Sequence, residues 1–330
     1  MSSSSGPEDH DQPHLDVEAL EETEQLEHEE HRHAEAALGD IKVAKARSRR
    51  DGWITAAWAT PGTLWLLFFL VAPLVMILLV SFWTTDITGF KKDFTLEAYR
   101  QLFGSLSYWN QMKESFFVTC IVVLACLILG FPIAYFLSFK VKSLKYQLAL
   151  FIVITAPFLT SYLIRITAWT YPVMGRQGAL NQLLEKLGLI DDAVINPFST
   201  YSVTLAMIQL YILMMISPIF FLLAQVDRSS LEAARDLGAS WFKSFREVIV
   251  PQAMPGIVIG SIFVFVLAMG DYGTYRVVGA GQVSSVSLIV QNNVVGLQYP
   301  LAAASAVFLV VAMMLGVFAL LQFAKLREEL

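Results

Sequence analysis

The chain has 330 residues, of which 56% are hydrophobic and 15% are charged, and its mean hydropathy is +0.58. A water-soluble fold needs more polar surface than this, so the composition excludes one or two ordinary soluble domains. The formal net charge of -5 hides two regions, because residues 1–40 hold 13 of the 28 acidic residues and one basic residue, Arg32.

Residues 1–40 are the first predicted segment, an acidic tail with few large apolar side chains. Such a segment cannot bury enough surface to offset the entropy of ordering it, so we expect a disordered cytoplasmic tail. The tail contains all five histidines of the chain, but their spacing matches no standard set of metal ligands. A solvated charge run is therefore favoured over the alternative, a metal site.

Residues 41–60 form a basic juxtamembrane segment with five Lys and Arg residues. The first apolar run begins only after Asp51, far from the N-terminus, which is typical of an uncleaved anchor and not of a cleaved signal peptide. Residues 61–330 are then expected to form one transmembrane domain.

Intervals without charged residues predict the membrane spans, because a span needs about 20 mostly apolar residues and a charge at its centre is costly. Five intervals contain no Asp, Glu, Lys or Arg, and a sixth is interrupted by Arg165 alone. We therefore predict an all-α polytopic membrane protein with six transmembrane helices, near residues 61–83, 115–139, 148–171, 202–225, 256–275 and 301–324.

The distribution of basic residues predicts the orientation of these spans. Fourteen basic residues fall in residues 41–60, after the last span, and in the loops near 140–146 and 227–254. Seven fall in the longer loops on the opposite side. The positive-inside rule then places both termini and the loop 227–254 in the cytoplasm.

The first half of the loop 227–254 has the local chemistry of a short helix that ends abruptly. Ser229 and Glu232 have the spacing of a capping box, and good helix formers follow them. Gly238 favours the left-handed conformation that ends a helix.

The second half of the loop predicts another short helix. Ser240 is a suitable N-cap, and Trp241, Phe245 and Val248 follow at helical spacing. Pro251 is expected to end this helix, because proline removes a backbone donor. The two halves together predict a helical elbow at the membrane surface.

The order of residues in this elbow resembles a known family. Glu232-Ala233-Ala234, then Gly238 after three residues and Val250-Pro251 further on, is similar to the EAA loop of binding-protein-dependent ABC transporter permeases. The resemblance implies that the elbow contacts an ATPase subunit, through Ser229, Glu232, Ala233, Ala234, Gly238 and Pro251. A mere connector packed on its own bundle is the alternative.

Other segments within residues 55–326 resemble the spermidine/putrescine-type subfamily. The stretch Pro157-Phe-Leu-Thr-Ser-Tyr-Leu-Ile-Arg165 is similar to that subfamily's third helix, and Gly270-Asp271-Tyr272 is similar to its fifth. The resemblance implies the ABC type I importer permease fold in the inner membrane. It also implies a small polar solute, spermidine or putrescine. The alternatives are another solute of such permeases (amino-acid-like, opine, phosphonate or iron) and a self-sufficient ion-coupled transporter.

The resemblance also implies partners: a second permease subunit, two ATP-binding-cassette ATPase subunits and an external binding protein, with no nucleic acid. The sequence contains no Gly-x-x-x-x-Gly-Lys-Ser/Thr phosphate loop, so ATP is expected on a partner and this chain is expected to have no cofactor and no enzymatic activity. No His follows position 33, which excludes a histidine-based active site within the membrane domain.

Two charged residues within predicted spans, Arg165 and Asp271, are candidates for the solute path, because intramembrane charges usually face a bundle interior or an aqueous cavity. The alternative is that they pair with each other as a structural ion pair. Trp169, Tyr272 and Tyr275 could offer aromatic faces to a cation, or belong to the interfacial aromatic belt.

Overall fold

The computed structural model describes residues 57–86, 89–141, 143–170, 175, 177–190, 198–226 and 240–328. By its contacts the chain divides into two units, Met1–Pro73 and Leu74–Leu330, and the boundary falls inside the first helix. The predicted tail, and most of the basic segment that follows it, lie outside the described residues.

The described chain is almost entirely helical. Its elements, in chain order, are α1 (Ala57–Val80), β1 (Thr84–Asp86), β2 (Gly89–Lys91), α2 (Glu97–Gly104), α3 (Leu106–Lys140), α4 (Leu144–Thr155), α5 (Tyr162–Thr170), α6 (Ala179–Lys186), α7 (Thr200–Leu223), α8 (Trp241–Gly270), α9 (Gly273–Val277), α10 (Val286–Val295) and α11 (Tyr299–Glu328). The prediction of an all-α class is confirmed, with one small antiparallel hairpin, β1–β2, in addition.

Five helices of the described chain are long and apolar enough to cross a membrane: α1, α3, α7, α8 and α11. A sixth crossing is formed if α4 and α5 are counted as one broken span. The six predicted spans therefore correspond to these helices. The prediction was wrong about the third span, which is not continuous, about the start of the second, which begins at Leu106, and about both ends of the fifth.

The third span breaks at Pro157. The segment Ala156–Leu159 forms a 3₁₀ turn, Thr160 is extended, and the helical segments on either side are bent by 85°. Proline cannot donate its backbone nitrogen and crowds the preceding turn, which favours such a break. Side-chain hydroxyls bond nearby carbonyls, from Thr155 to Phe151 (2.8 Å) and from Thr160 to Pro157 (2.6 Å). These bonds lower the cost of exposing backbone groups within a membrane.

The fifth span, α8, begins at Trp241 and ends at Gly270, so the predicted bounds of 256–275 were wrong at both ends. Pro251 lies inside this helix, where the prediction had it ending a shorter one. The preceding turn, Phe245–Ile249, is π-helical, and the wider turn accommodates a proline that lacks a donor. The second half of the predicted elbow is therefore continuous with a membrane span.

The buried core forms where α7 packs between α3 and α8. Glycines allow close approach on both sides. A Cβ added to Gly256 of α8 would lie 2.8 Å from the carbonyl oxygen of Pro218 in α7, and one added to Gly260 would lie 2.9 Å from the sulfur of Met215. On the other side, a Cβ at Gly130 of α3 would lie 3.2 Å from Cγ1 of Ile216. The pair of small residues in α8, Gly256 and Gly260, thus serves packing within the chain.

Candidate functional site

The coupling elbow is described only in its second half. Ser229, Glu232, Ala233, Ala234 and Gly238 lie outside the described residues, so their predicted roles remain predictions. Ser240 is the N-cap of α8, as predicted, and its hydroxyl accepts a hydrogen bond from the backbone nitrogen of Lys243 (3.3 Å).

Aromatic contacts fix the first turns of α8 against α3. Phe245 contacts Phe131 edge-on, with ring centroids 5.6 Å apart, and Tyr135 at 6.3 Å. Trp241 stacks on Phe245 at 5.4 Å, yet it is 57% exposed. Phe242 beside it is exposed as well. At the start of α8, Phe245 therefore anchors the helix on α3, while Trp241 and Phe242 form an exposed apolar surface next to the loop.

At the opposite end of α8, the carboxylate of Asp271 is buried and only 6% exposed. Oδ1 accepts hydrogen bonds from the hydroxyl of Tyr162 (2.5 Å) and from the backbone nitrogen of Thr274 (2.9 Å). Oδ2 accepts from the hydroxyl of Tyr211 (2.8 Å) and from that of Thr274. Four donors match the roughly four lone-pair sites of an ionised carboxylate, so no acceptor position is left for a solute in this conformation.

This arrangement differs from the predicted one in position and in partners. Asp271 is the C-cap residue that follows α8 and is not inside the span. The described residues contain no ion pair between Asp271 and Arg165, so the predicted alternative of a structural pair was wrong. The physical reason is that the tyrosine and threonine donors already satisfy the carboxylate.

Sequence reasoning missed Tyr162 and Tyr211. Each is a single hydroxyl within an apolar helix, which by itself is as typical of an interfacial aromatic residue as of a buried donor. The structure shows that Gly273 makes room for the Tyr162 ring, since a Cβ at this position would lie 2.9 Å from both Cε1 and the hydroxyl oxygen of Tyr162. This contact joins residues distant in the chain, so the sequence alone gives no sign of it.

Arg165 lies in α5, one turn beyond Tyr162. Its Nε and Nη1 are buried and have no hydrogen-bond partner within the described chain, while its guanidinium lies 5.0 Å from the ring centroid of Phe158. Cation–π attraction offsets only part of the cost of removing such a charge from water. Arg165 is therefore a cation with unused donors near the break in the third span.

The aromatic candidates lie in different environments. Tyr275 is only 1% exposed and its ring belongs to the core, while Trp169 packs against that core. Tyr272 is 46% exposed and is the N-cap residue of α9. Of the three, Tyr272 alone presents a substantial surface to a solute.

The comparisons with known proteins agree with this architecture. No protein-family model matches the chain. It is 34% identical over 251 residues to the spermidine/putrescine transport system permease protein PotB of Escherichia coli K12, covering 76% of this chain and 90% of that one. PotB of Haemophilus influenzae is 33% identical over 270 residues, covering 80% and 92%.

A solved structure shares the fold. The crystal structure of a bacterial ABC transporter involved in the import of the acidic polysaccharide alginate aligns with a TM-score of 0.62 at 17% identity, covering 83% of this chain and 95% of that chain. The low identity makes this similarity evidence for the fold alone. Because the PotB relatives match over most of their own length, the family is established: the chain is a multi-pass membrane protein and belongs to the ABC-transporter permeases that include PotB.

Proposed function

We propose that this permease imports a polyamine, spermidine or putrescine, across the inner membrane. The observation that carries the proposal is the similarity to PotB, which extends over 76% of this chain. The self-sufficient ion-coupled transporter is disfavoured by the same similarity.

The proposed assembly contains a second permease subunit, two ATPase subunits that bind ATP, and an external binding protein. Both termini are placed in the cytoplasm, supported by the 14 basic residues on that side of the predicted topology. The exposed Trp241 and Phe242 then form part of the surface offered to an ATPase subunit.

The geometry of α8 supports a coupling mechanism. The 30-residue segment Trp241–Gly270 is continuous and spans about 45 Å at the rise of an α-helix. A displacement of the elbow by the ATPase therefore moves one helix whose far end bears Asp271. Helix α8 packs closely on α7 at Gly256 and Gly260. A displacement of α8 therefore either carries α7 with it or slides α8 along this interface.

The solute assignment is tested by uptake in cells that lack other polyamine transport and express the complete transporter. We expect saturable uptake of radiolabelled spermidine or putrescine that requires the binding protein and ATP. Competition with amino-acid-like, phosphonate and iron-chelate solutes distinguishes the alternatives. Uptake of one of these without any polyamine uptake contradicts the proposal.

The coupling assignment is tested separately by Glu232→Lys, which reverses the charge expected to cap the elbow. We expect normal insertion and assembly but at least about tenfold lower uptake, the size expected from disrupting a coupling free energy of about 1.4 kcal/mol. The ATPase should no longer respond to the loaded binding protein. Unchanged uptake would exclude Glu232 from coupling.

A further inference from the structure

Side chains from several spans converge on Asp271, at the end of α8 opposite the elbow. Tyr162 comes from the broken third span, Tyr211 from the fourth, and Asp271 follows the fifth. The geometry points to a latch: Tyr162 and Tyr211 position Asp271 so that the end of the fifth span is held to the middle of the fourth and to the break in the third, and the latch must open once in each transport cycle. That this end faces outward rests on the proposed orientation.

The latch depends on burial. A carboxylate removed from water is costly unless its hydrogen bonds are complete, and here the donors come from separate elements. Moving α8 away from α5 or α7 would break these bonds and leave a buried charge without full compensation. The latch thus has two stable states, one with its hydrogen bonds complete and one that is open and hydrated. Intermediate arrangements, in which the carboxylate is buried with some bonds broken, are unstable.

Neighbouring elements reinforce the latch. The hydroxyl of Ser287 in α10 donates to the backbone oxygen of Asp271 (2.8 Å). One residue earlier, the backbone nitrogen of Val286 donates to the hydroxyl of Ser115 in α3 (3.1 Å). Thr274 in α9 donates to both carboxylate oxygens. The latch therefore connects the third, fourth and fifth spans to α3 through the short helices α9 and α10, which follow Asp271.

The connection to the elbow runs along α8. Asp271 is the residue that ends this helix, and Trp241 is the residue that begins it. An axial shift or rotation of α8 therefore changes the distance from the carboxylate to the two tyrosine hydroxyls directly. Since both oxygens of Asp271 are occupied, its role in this conformation is to hold the helices and not to bind solute.

The test measures opening at this end in the assembled transporter, without solute or ATP. Val278 follows α9 and is fully buried, so a Val278→Cys reporter in a Cys120→Ala, Cys126→Ala background should react slowly with a membrane-impermeant maleimide. Tyr162→Phe and Tyr211→Phe each remove one hydroxyl. We expect each to raise the labelling rate about tenfold, the effect of losing one hydrogen bond to a charged group.

Gly273→Ala provides an independent variant, because its methyl group displaces the Tyr162 ring without removing a hydroxyl. It should raise the labelling rate as well. The matched controls are Tyr146→Phe, at an exposed tyrosine outside the latch, and Gly104→Ala, where an added Cβ meets no atom within 4 Å. Both controls should label at the rate of the reporter alone.

Two outcomes overturn the latch. If all three variants label at the control rate at normal abundance, the hydroxyls do not restrain opening. If they lose abundance while the labelling rate of the assembled fraction is unchanged, the network serves folding only. Failure to transport polyamines would contradict the solute assignment but would leave this measurement unaffected, because no solute is present.

Discussion

Asp271 and Arg165 show two ways in which a charged residue is accommodated near the membrane. The carboxylate of Asp271 accepts four hydrogen bonds and is nearly inaccessible. The guanidinium of Arg165 has two buried nitrogens without a hydrogen-bond partner and contacts Phe158. The first residue therefore contributes to the stability of the fold, whereas two donors of the second are buried without a hydrogen bond in this conformation.

Asp271→Asn is predicted to destabilise the isolated protein. Asparagine presents an amide nitrogen where donors now converge, so at least one hydrogen bond is lost, at a cost of about 1–3 kcal/mol. Thermal unfolding of the purified protein in detergent measures the effect.

Arg165→Gln serves as the comparison for Asp271→Asn. Because the two residues do not pair, it should leave the stability nearly unchanged and should not rescue Asp271→Asn in the double variant. Restoration of stability in the double variant would show that the two charges interact.

At the scale of elements, helix α8 joins the second half of the predicted elbow to the membrane domain. Its first turns are anchored on α3 by Phe245, its middle packs closely on α7 at Gly256, and its end leads to Asp271. The π-helical turn before Pro251 lets the helix continue through a proline. Helix α8 is thus continuous because the π-helical turn accommodates Pro251, a residue type that usually ends helices.

Gly256→Ala is predicted to destabilise the packing of α8 on α7. The new Cβ would lie 2.8 Å from the carbonyl oxygen of Pro218 and 2.9 Å from Cα of Ile219, and backbone atoms cannot move aside as a flexible side chain can. A loss of about 1–3 kcal/mol is expected, seen as a lower unfolding temperature. Gly104→Ala, which meets no neighbour, should unfold like the parental protein; equal behaviour of the two variants would contradict the close contact.

The variants Trp241→Ala and Phe245→Ala should distinguish a residue that contacts a partner from a residue that stabilises the fold. Trp241 is largely exposed, so its removal should leave the unfolding temperature nearly unchanged while uptake falls if this surface contacts the ATPase. Phe245 is partly buried and contacts Phe131 and Tyr135, so its truncation should cost about 1–3 kcal/mol of stability. Normal uptake in Trp241→Ala would place the ATPase contact elsewhere on the elbow.

At the scale of the whole molecule, the chain joins an acidic tail to a membrane domain of opposite charge balance. Residues 1–40 contain 13 acids and one base, whereas the rest contains 22 bases and 15 acids. By the positive-inside rule, the basic residues before the first span are expected to set its orientation, and acidic residues contribute little to that rule. We therefore expect that the tail is not required for the topology.

Deletion of residues 2–40 is predicted to leave uptake within about twofold of the parental value. The segment is too polar to bury a core, and the basic residues that fix topology lie after it. Uptake and membrane abundance are measured together in the same cells. Lost uptake at unchanged abundance would assign the tail a role in regulation or partner binding.

The sequence by itself predicted the class of the protein and its six spans, five of which are continuous helices and one of which is broken. The first half of the elbow stays a prediction, because it lies outside the described residues. Charge-free intervals are informative because the bilayer penalises a charge wherever it lies in a span, whatever its neighbours. The EAA pattern was recognisable for a related reason, since its residues are close together in the chain. Ser240 is an example of a local rule, the N-cap, that the structure confirmed.

Only the tertiary structure decided what surrounds each charged residue. Tyr162 and Tyr211 lie 109 and 60 residues from Asp271 in the chain, and no local pattern brings their hydroxyls to one carboxylate. The same holds for Pro251, which local rules place at a helix end but which a π-helical turn keeps inside α8. Hydrogen bonds between distant segments depend on how the helices pack, and that packing is set by the whole core together.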